Sequence, residues 1–182
     1  MEILIHLFVL LMIGLFNVHA EDSILLNAHI RIIPKIMALD TQALSHNTSG
    51  KAVLGIVYDD GHKNNAKKIA DEINRNYNGN VGAIPFAAVP ISVDELVIRR
   101  DIAFAYLIDM SHTSVNRVAS WGNSNSVPTF SYNAQNLDLG ILGTIVIERS
   151  TVIYINKNVL KAGKFRFNDS LFQIARLVNE SF

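Results

Sequence analysis

Acidic, imidazole and other polar side chains follow three apolar runs of the sequence, and they are the residues best suited to carry chemistry. In parallel sheets, ligands bind beyond the carboxyl ends of the strands, so such residues could surround one small polar ligand. The same residue types also cap helices and turns, and capping alone would explain their positions. Both interpretations stay open. The set consists of Asp59, Asp60, His62, Asp109, Ser111, His112, Tyr132 and Asn133.

Metal binding and hydrolysis are two further chemistries that these residue types could serve. The carboxylates and imidazoles are suitable metal ligands, but their spacing matches no recognised metal-site pattern. The side-chain types of a hydrolytic triad are present in Ser111, His112 and Asp109. Residues so near in sequence rarely face one another, however. The chain has no G-x-S-x-G, P-loop or G-x-G-x-x-G motif and no cysteine. We therefore expect a non-catalytic protein without a metal or cofactor.

The polar set must be positioned by the strands that precede it. Residues 52–58 and 102–108 are continuously apolar, which is typical of strands buried on both faces. Ala66, Ile69 and Ile73 recur at helical spacing after the first run and predict an amphipathic helix. This alternation of strands and helices indicates a parallel sheet with right-handed crossovers.

The later elements complete the predicted fold. Gly122 is expected to end the helix after the second run, and residues 127–132 to form the third strand. Residues 142–149 and 151–156 predict a hairpin. A capping box at Ser170 predicts a closing helix. The predicted fold class is an α/β three-layer sandwich with a mostly parallel, Rossmann-like sheet, a C-terminal β-hairpin and a closing helix whose core face is Leu171, Ile174, Ala175 and Val178.

Two segments at the start of the chain have different predicted roles. Residues 1–20 are predicted to be a signal peptide, because residues 3–16 are almost wholly apolar and Val18-His19-Ala20 suits cleavage. The alternative is an uncleaved anchor or a buried strand, since Glu2 replaces the usual positive charge. Residues 21–182 would then form a single exported domain. Residues 24–39 predict a helix with a wide apolar face, on which Ile32 and Ile36 are the first candidates for protein contact.

Composition restricts the partners. The 182 residues carry 16 basic and 16 acidic side chains, so the formal net charge is zero and no basic field favours nucleic acid. With no cysteine, the chain can form neither disulfides nor a thiol redox sensor. We expect partners to be recognised by local shape and chemistry.

Several strings over residues 24–180 resemble the YfiR-like family of exported bacterial proteins. The similarity is densest in the C-terminal third. The chain departs from the family's pattern in two ways, because it lacks the cysteines of the best-known branch and has Met37-Ala38-Leu39-Asp40 where an aromatic-Pro ending is common. The strings are Phe130-Ser131-Tyr132, Gly143-Thr144-Ile145-Val146, Tyr154-Ile155-Asn156, Ala162-Gly163, Phe165 and Leu171-Phe172-Gln173-Ile174-Ala175-Arg176.

The resemblance implies a periplasmic, non-catalytic regulator. Such a protein would bind the periplasmic domain of an inner-membrane signalling protein, such as a diguanylate cyclase, and modulate its output. The alternative function is a small-ligand-binding module that serves a transporter or sensor. The identity of the partner, a homodimer and a small-molecule effector are left open by the sequence.

Overall fold

The structure is a computed structural model and describes residues 23–46 and 49–179. The predicted signal peptide lies outside the described residues. The described helices are α1 (residues 23–37), α2 (Lys63–Tyr77), α3 (Val93–Leu96), α4 (His112–Asn125), α5 (Lys157–Ala162) and α6 (Asp169–Ile174), with a 3₁₀ helix at Ala134–Leu139. The described strands are β1 (Ala52–Tyr58), β2 (Asn80–Val81), β3 (Ile84–Ser92), β4 (Phe104–Leu107), β5 (Thr129–Ser131), β6 (Gly143–Ile147), β7 (Thr151–Asn156) and β8 (Ala175–Val178).

One mostly parallel sheet organises these elements, and its strand order is β2-β3-β1-β4-β5-β6-β7-β8. β1 pairs in parallel with both β3 and β4, so the first continuous apolar run is a central strand. β4, β5 and β6 continue in parallel, while β6 and β7 form the predicted antiparallel hairpin. The predicted α/β class with a mostly parallel central sheet is confirmed.

Helices cover both faces of the sheet and make a three-layer structure. Because successive side chains of a strand point to opposite faces, Leu54 and Ile56 of β1 pack with α1 and α2, whereas Val53 and Val57 pack with α3 and α4. We call the side covered by α1 and α2 the first face and the side covered by α3 and α4 the second face. This double burial explains why the strands are continuously apolar.

The C-terminal segment differs from the predicted closing helix. Helix α6 is capped by Asn168 rather than Ser170, and it ends at Ile174. Residues Ala175–Val178 instead form β8, which pairs in parallel with β7. This pairing supplies hydrogen-bond partners for the backbone groups along the edge of β7. It joins two strands that are separated in the sequence, so local helical spacing could not indicate it. Ile174, predicted to face the core, is therefore 60% exposed.

Gly122 also has a different role from the predicted one. Helix α4 continues past it to Asn125 and ends at Ser126, which adopts a left-handed φ of 57°. A Cβ atom on Gly122 would lie 2.4 Å from Cγ2 of Thr129 on β5. The glycine therefore permits close packing of α4 on the sheet, and it does not cap the helix.

The expected protein contact on α1 is wrong for one of its two residues. Ile36 is only 1% exposed and packs in the core of the first face, so it is inaccessible to a partner. Ile32 is half-buried and packs against the same core. The chain after α5 returns beside the residues that follow α1, where the Asn168 N–H donates to the Leu39 carbonyl (2.8 Å).

Candidate functional site

The chain changes direction across the sheet between β1 and β4, and this creates a crevice at their carboxyl ends. From β1 the chain enters α2, which packs on the first face and leads to β3. From β4 it enters α4, which packs on the second face and leads to β5. Neighbouring strands whose connections depart to opposite faces define the usual ligand site of open α/β sheets. Asp59 and Asp109 follow these two strands.

Asp59 joins the two loops on either side of the crevice. Its Oδ2 accepts a hydrogen bond from the Ser111 backbone N–H (2.8 Å), and its Oδ1 lies 3.1 Å from His62 Nδ1. Partial burial acts to raise the pKa of Asp59, but the hydrogen bonds from Ser111, His62 and Ser114 together hold it below the ordinary value. Asp59 is therefore an anion whose acceptor capacity is largely used by the fold.

Capping accounts for other members of the predicted set. Ser111 is the N-cap of α4, and its Oγ accepts from the Ser114 backbone N–H (3.3 Å). Asn133 caps the 3₁₀ helix, with its Oδ1 accepting from the Gln135 N–H (3.0 Å). Asp60 and His112 are both exposed. These positions match the structural interpretation that the sequence left open.

A cavity of about 340 Å³ adjoins the crevice on the first face. Three members of the predicted set line it, namely His62, Asp109 and Tyr132. The other lining residues come from α1, α2 and β4 with its following residues: Leu26, Asn65, Lys68, Ile69, Tyr106 and Ile108.

The interior and the mouth of this cavity differ in chemistry. Ile69, Tyr106 and Ile108 are buried and give it an apolar interior. Lys68 and Asp109 are exposed, so the charged lining residues lie at its mouth. Such a combination of apolar surface with a few polar groups is typical of small-molecule sites.

Tyr106 is the unusual residue of the interior. It is 0% exposed, and its hydroxyl has no hydrogen-bond partner among the described residues. Burial, with a smaller effect from nearby Tyr132, raises the pKa of Tyr106 well above its ordinary value. The hydroxyl is therefore neutral and can both donate and accept a hydrogen bond.

His29 lies behind this part of the cavity. Its ring centroid is 5.4 Å from that of Tyr106 and 5.3 Å from that of Tyr132. Nε2 lies 2.9 Å from the Ile145 carbonyl, so Nε2–H donates and Nδ1 is a bare acceptor without a partner in the described part of the protein. Burial lowers the pKa of His29 to about 4, against the raising effect of the Ile145 bond. The ring is thus neutral at pH 7.

Sequence reasoning missed the most distinctive residues of the cavity. It included Tyr106 only in the buried run 102–108 and His29 only in the helix predicted over residues 24–39. A usable signal existed for Tyr106, since a tyrosine inside a run buried on both faces must find a partner for its hydroxyl. No comparable signal existed for His29, whose contact with Ile145 joins positions 116 residues apart.

The described ranges contain neither a cluster of metal-binding side chains nor a helix that could span a membrane. Residues 23–46 and 49–179 contain no cluster of three or more His, Asp or Glu side chains that could hold a metal ion. No helix within these ranges is long and apolar enough to cross a membrane.

Comparison with known proteins yields a structural likeness. The chain matches no protein-family model, and no curated protein sequence matches it. It is similar to a solved structure from Streptococcus pneumonia described as an ABC domain in complex with L-Trp, with a TM-score of 0.50 and 14% sequence identity. The match covers 80% of this chain and 61% of that one, so the chain spans about three fifths of its length. At this identity the likeness shows a shared α/β fold.

Proposed function

We propose that this protein is a non-catalytic binding protein whose cavity beside β1 and β4 takes up a small molecule. The observation that carries the proposal is Tyr106, which lines an apolar cavity at the crossover point and whose buried hydroxyl has no partner among the described residues. Fold stability gives no reason to keep such a hydroxyl, because burying it unpaired costs about 1–3 kcal/mol. A ligand that pairs with it supplies the reason.

The use of the nearby polar groups supports binding rather than catalysis. Asp59, the best-placed carboxylate, already accepts hydrogen bonds from Ser111 and His62. The Ser111 hydroxyl caps α4 and lies 3.0 Å from Ser114 Oγ. A nucleophile needs a base within hydrogen-bond reach, and these groups are committed to holding loops together.

A matched pair of helix variants tests the cavity. Asn65 lines the mouth, whereas its neighbour Asn64 is exposed and outside the lining. We expect thermal unfolding measured against a metabolite collection to identify a stabilising compound, because a ligand that binds only the folded state raises the unfolding temperature. Asn65→Trp should abolish that shift and Asn64→Trp should retain it. Equal shifts in both variants would show that the compound binds elsewhere.

Regulation of an inner-membrane signalling protein is the second proposed function, and an exposed apolar cluster favours it. Phe172, Ile174 and Leu177 are 39%, 60% and 48% exposed on α6 and the edge strand β8. Exposed apolar groups at a sheet edge are suited to protein contact. The YfiR-like resemblance implies such a partner in the periplasm. The two functions are compatible, since ligand uptake could alter the affinity for the partner.

Capture of envelope proteins tests the regulator. Ile174→Lys should lower recovery of a membrane-protein ectodomain, and Ile98→Lys should not, because Ile98 is an isoleucine exposed to 78% near the opposite end of the sheet. Equal recovery with both variants would exclude the C-terminal cluster, Phe172, Ile174 and Leu177, as the contact.

Intact-mass measurement of the exported protein checks its location, with Glu21 expected as the first residue.

A further inference from the structure

The polar atoms at the buried side of the cavity define what kind of group a ligand presents there. Tyr106 lines the cavity, and its hydroxyl, which has no partner among the described residues, can both donate and accept a hydrogen bond. A ligand hydroxyl also donates and accepts, so it can pair with Tyr106 in either direction. A ligand carbonyl only accepts and can pair with Tyr106 in one direction.

The interior favours an uncharged group. His29 is neutral at pH 7, and the buried lining residues Ile69, Tyr106 and Ile108 carry no charge. A carboxylate or ammonium in this interior would lose its hydration without gaining a counter-ion. The charged lining residues, Lys68 and Asp109, are exposed at the mouth and too well hydrated to compensate for a charge placed deep inside.

The size and lining of the cavity favour a small ring. Its volume of about 340 Å³ lies at the lower end of the range for ligand sites, about 300–1,000 Å³. Tyr106 and Tyr132 both line it, and His29 packs on both rings. Aromatic side chains contact flat rings by offset or edge-on packing.

We propose that the cavity binds a small, uncharged ring compound that carries a hydroxyl group, of the phenol class, with that hydroxyl bonded to Tyr106. This inference rests on the proposed small-molecule function and adds the chemistry of the ligand. Tyr106 is the specificity-determining residue, and Leu26, Ile69 and Ile108 contact the ring.

Four probes that share one ring test the hydroxyl. They are p-cresol, p-tolualdehyde, toluene and p-toluate, which carry a hydroxyl, a carbonyl, no polar group and a carboxylate. With the full chain, titration calorimetry and ligand-observed NMR should show p-cresol binding about tenfold more tightly than toluene, which corresponds to about 1.4 kcal/mol for the paired hydroxyl. We expect p-tolualdehyde to be intermediate and p-toluate to be weakest.

Tyr106→Phe should remove this preference. The variant keeps the ring, and its lost hydroxyl has no partner among the described residues, so it should fold. We expect p-cresol affinity to fall about tenfold and toluene affinity to stay unchanged. Tyr77→Phe is the matched control, because the Tyr77 hydroxyl donates to the Arg31 carbonyl and does not line the cavity. It should leave both affinities unchanged.

The outcomes separate this inference from the proposed function. If Asn65→Trp abolishes binding of p-cresol and toluene alike while Tyr106→Phe changes neither, the cavity binds ligands but the hydroxyl specificity is overturned. It is likewise overturned if a metabolite binds through the cavity and no phenol does. If p-cresol binds and neither variant alters its affinity, the site and its specificity both fail.

Discussion

The two faces of the sheet are built from similar strands but use their polar groups differently. On the second face, α3 and α4 begin with satisfied caps at Ser92 and Ser111, and both loops are bonded to the framework. Both faces also bury polar atoms that have no partner in the described protein, Trp121 Nε1 on the second face and the Tyr106 hydroxyl and His29 Nδ1 on the first. Of these residues, Tyr106 lines the cavity of the first face. The difference teaches that an unpaired buried group becomes suited to a ligand where a cavity adjoins it.

The largest expected effect is the loss of folding when a carboxylate is placed in the core of either face. Ile56 and Leu107 are each 0% exposed, Ile56 on the first face and Leu107 on the second. Ile56→Asp and Leu107→Asp would bury unpaired carboxylates, at a cost of several kcal/mol that approaches the whole stability of a typical domain. We expect both variants to fail in soluble expression, with lost far-UV circular dichroism in refolded material. A folded Ile56→Asp protein would show that the first face is not tightly packed.

The next largest effect is a pH dependence of the free energy of unfolding that arises on the first face. The pKa of His29 is lowered to about 4 in the folded state by burial, so the unfolded chain binds its proton first as pH falls. Stability from His29 is therefore complete above pH 6.5 and is lost down to about pH 4, a change of about 3 kcal/mol.

Burial raises the pKa of Asp40 to about 6, against the bond from the Gln42 N–H. Its effect has the opposite sign, because folded Asp40 binds a proton before the unfolded chain does.

Urea unfolding from pH 7 to pH 4 separates the two groups. In the wild type the opposing contributions should partly cancel and give a shallow profile. Asp40→Asn removes one of them and keeps an oxygen for the Gln42 N–H, so its stability should fall by about 3 kcal/mol as pH drops from 6.5 to 4. A flat profile for Asp40→Asn would mean that His29 is hydrated and that the first face is more open than the structure has it.

A smaller effect tests the close packing of the second face. An alanine at position 122 would bring Cβ to 2.4 Å from Thr129 Cγ2 and 3.0 Å from the Val127 carbonyl oxygen. Overpacking of this kind costs about 1–3 kcal/mol, so Gly122→Ala should lower the free energy of unfolding by about 2 kcal/mol. Adding Thr129→Ser removes Cγ2 and should restore part of the loss. If the single substitution is harmless, α4 lies farther from β5 than this packing implies.

Local signals in the sequence were sufficient for the framework of both faces. The continuous runs predicted β1 and β4 as buried strands, and the helical spacing of Ala66, Ile69 and Ile73 predicted α2. These features depend on residues within a few positions of one another. Propensity, capping and apolar spacing therefore determine them almost completely.

The cavity depends on relationships that local patterns do not contain. In a strand buried on both faces the apolar run is continuous, so it does not reveal that Tyr106 points to the first face. His29 meets Ile145 across 116 positions, and β8 replaces a predicted helix because β7 offers an unpaired edge. Of the eight predicted site residues, those that line the cavity are His62, Asp109 and Tyr132. The other five lie outside the cavity lining, where they cap helices, join loops or are exposed on the surface.

The smallest test compares two aspartates that follow the central strands in the same way. Asp59 accepts bonds from the Ser111 N–H and from His62, whereas Asp109 is exposed at the mouth of the cavity. Asp59→Ala should therefore lower the free energy of unfolding by about 1 kcal/mol, and Asp109→Ala should change it by less than about 0.5 kcal/mol. Adding His112→Ala to Asp109→Ala should be equally harmless, because His112 is exposed.

The pH dependence of the two aspartate variants completes the comparison. Since the pKa of Asp59 is held below its ordinary value, its contribution is present above that value and is lost as pH falls through the lowered pKa. Urea unfolding should show this acid-side loss in the wild type and in Asp109→Ala, and a weaker one in Asp59→Ala. Equal curves for all three proteins would contradict the role of Asp59 as the tie between the loops. If Asp109→Ala instead weakens a cavity ligand without changing stability, the mouth belongs to recognition and Asp59 to the framework.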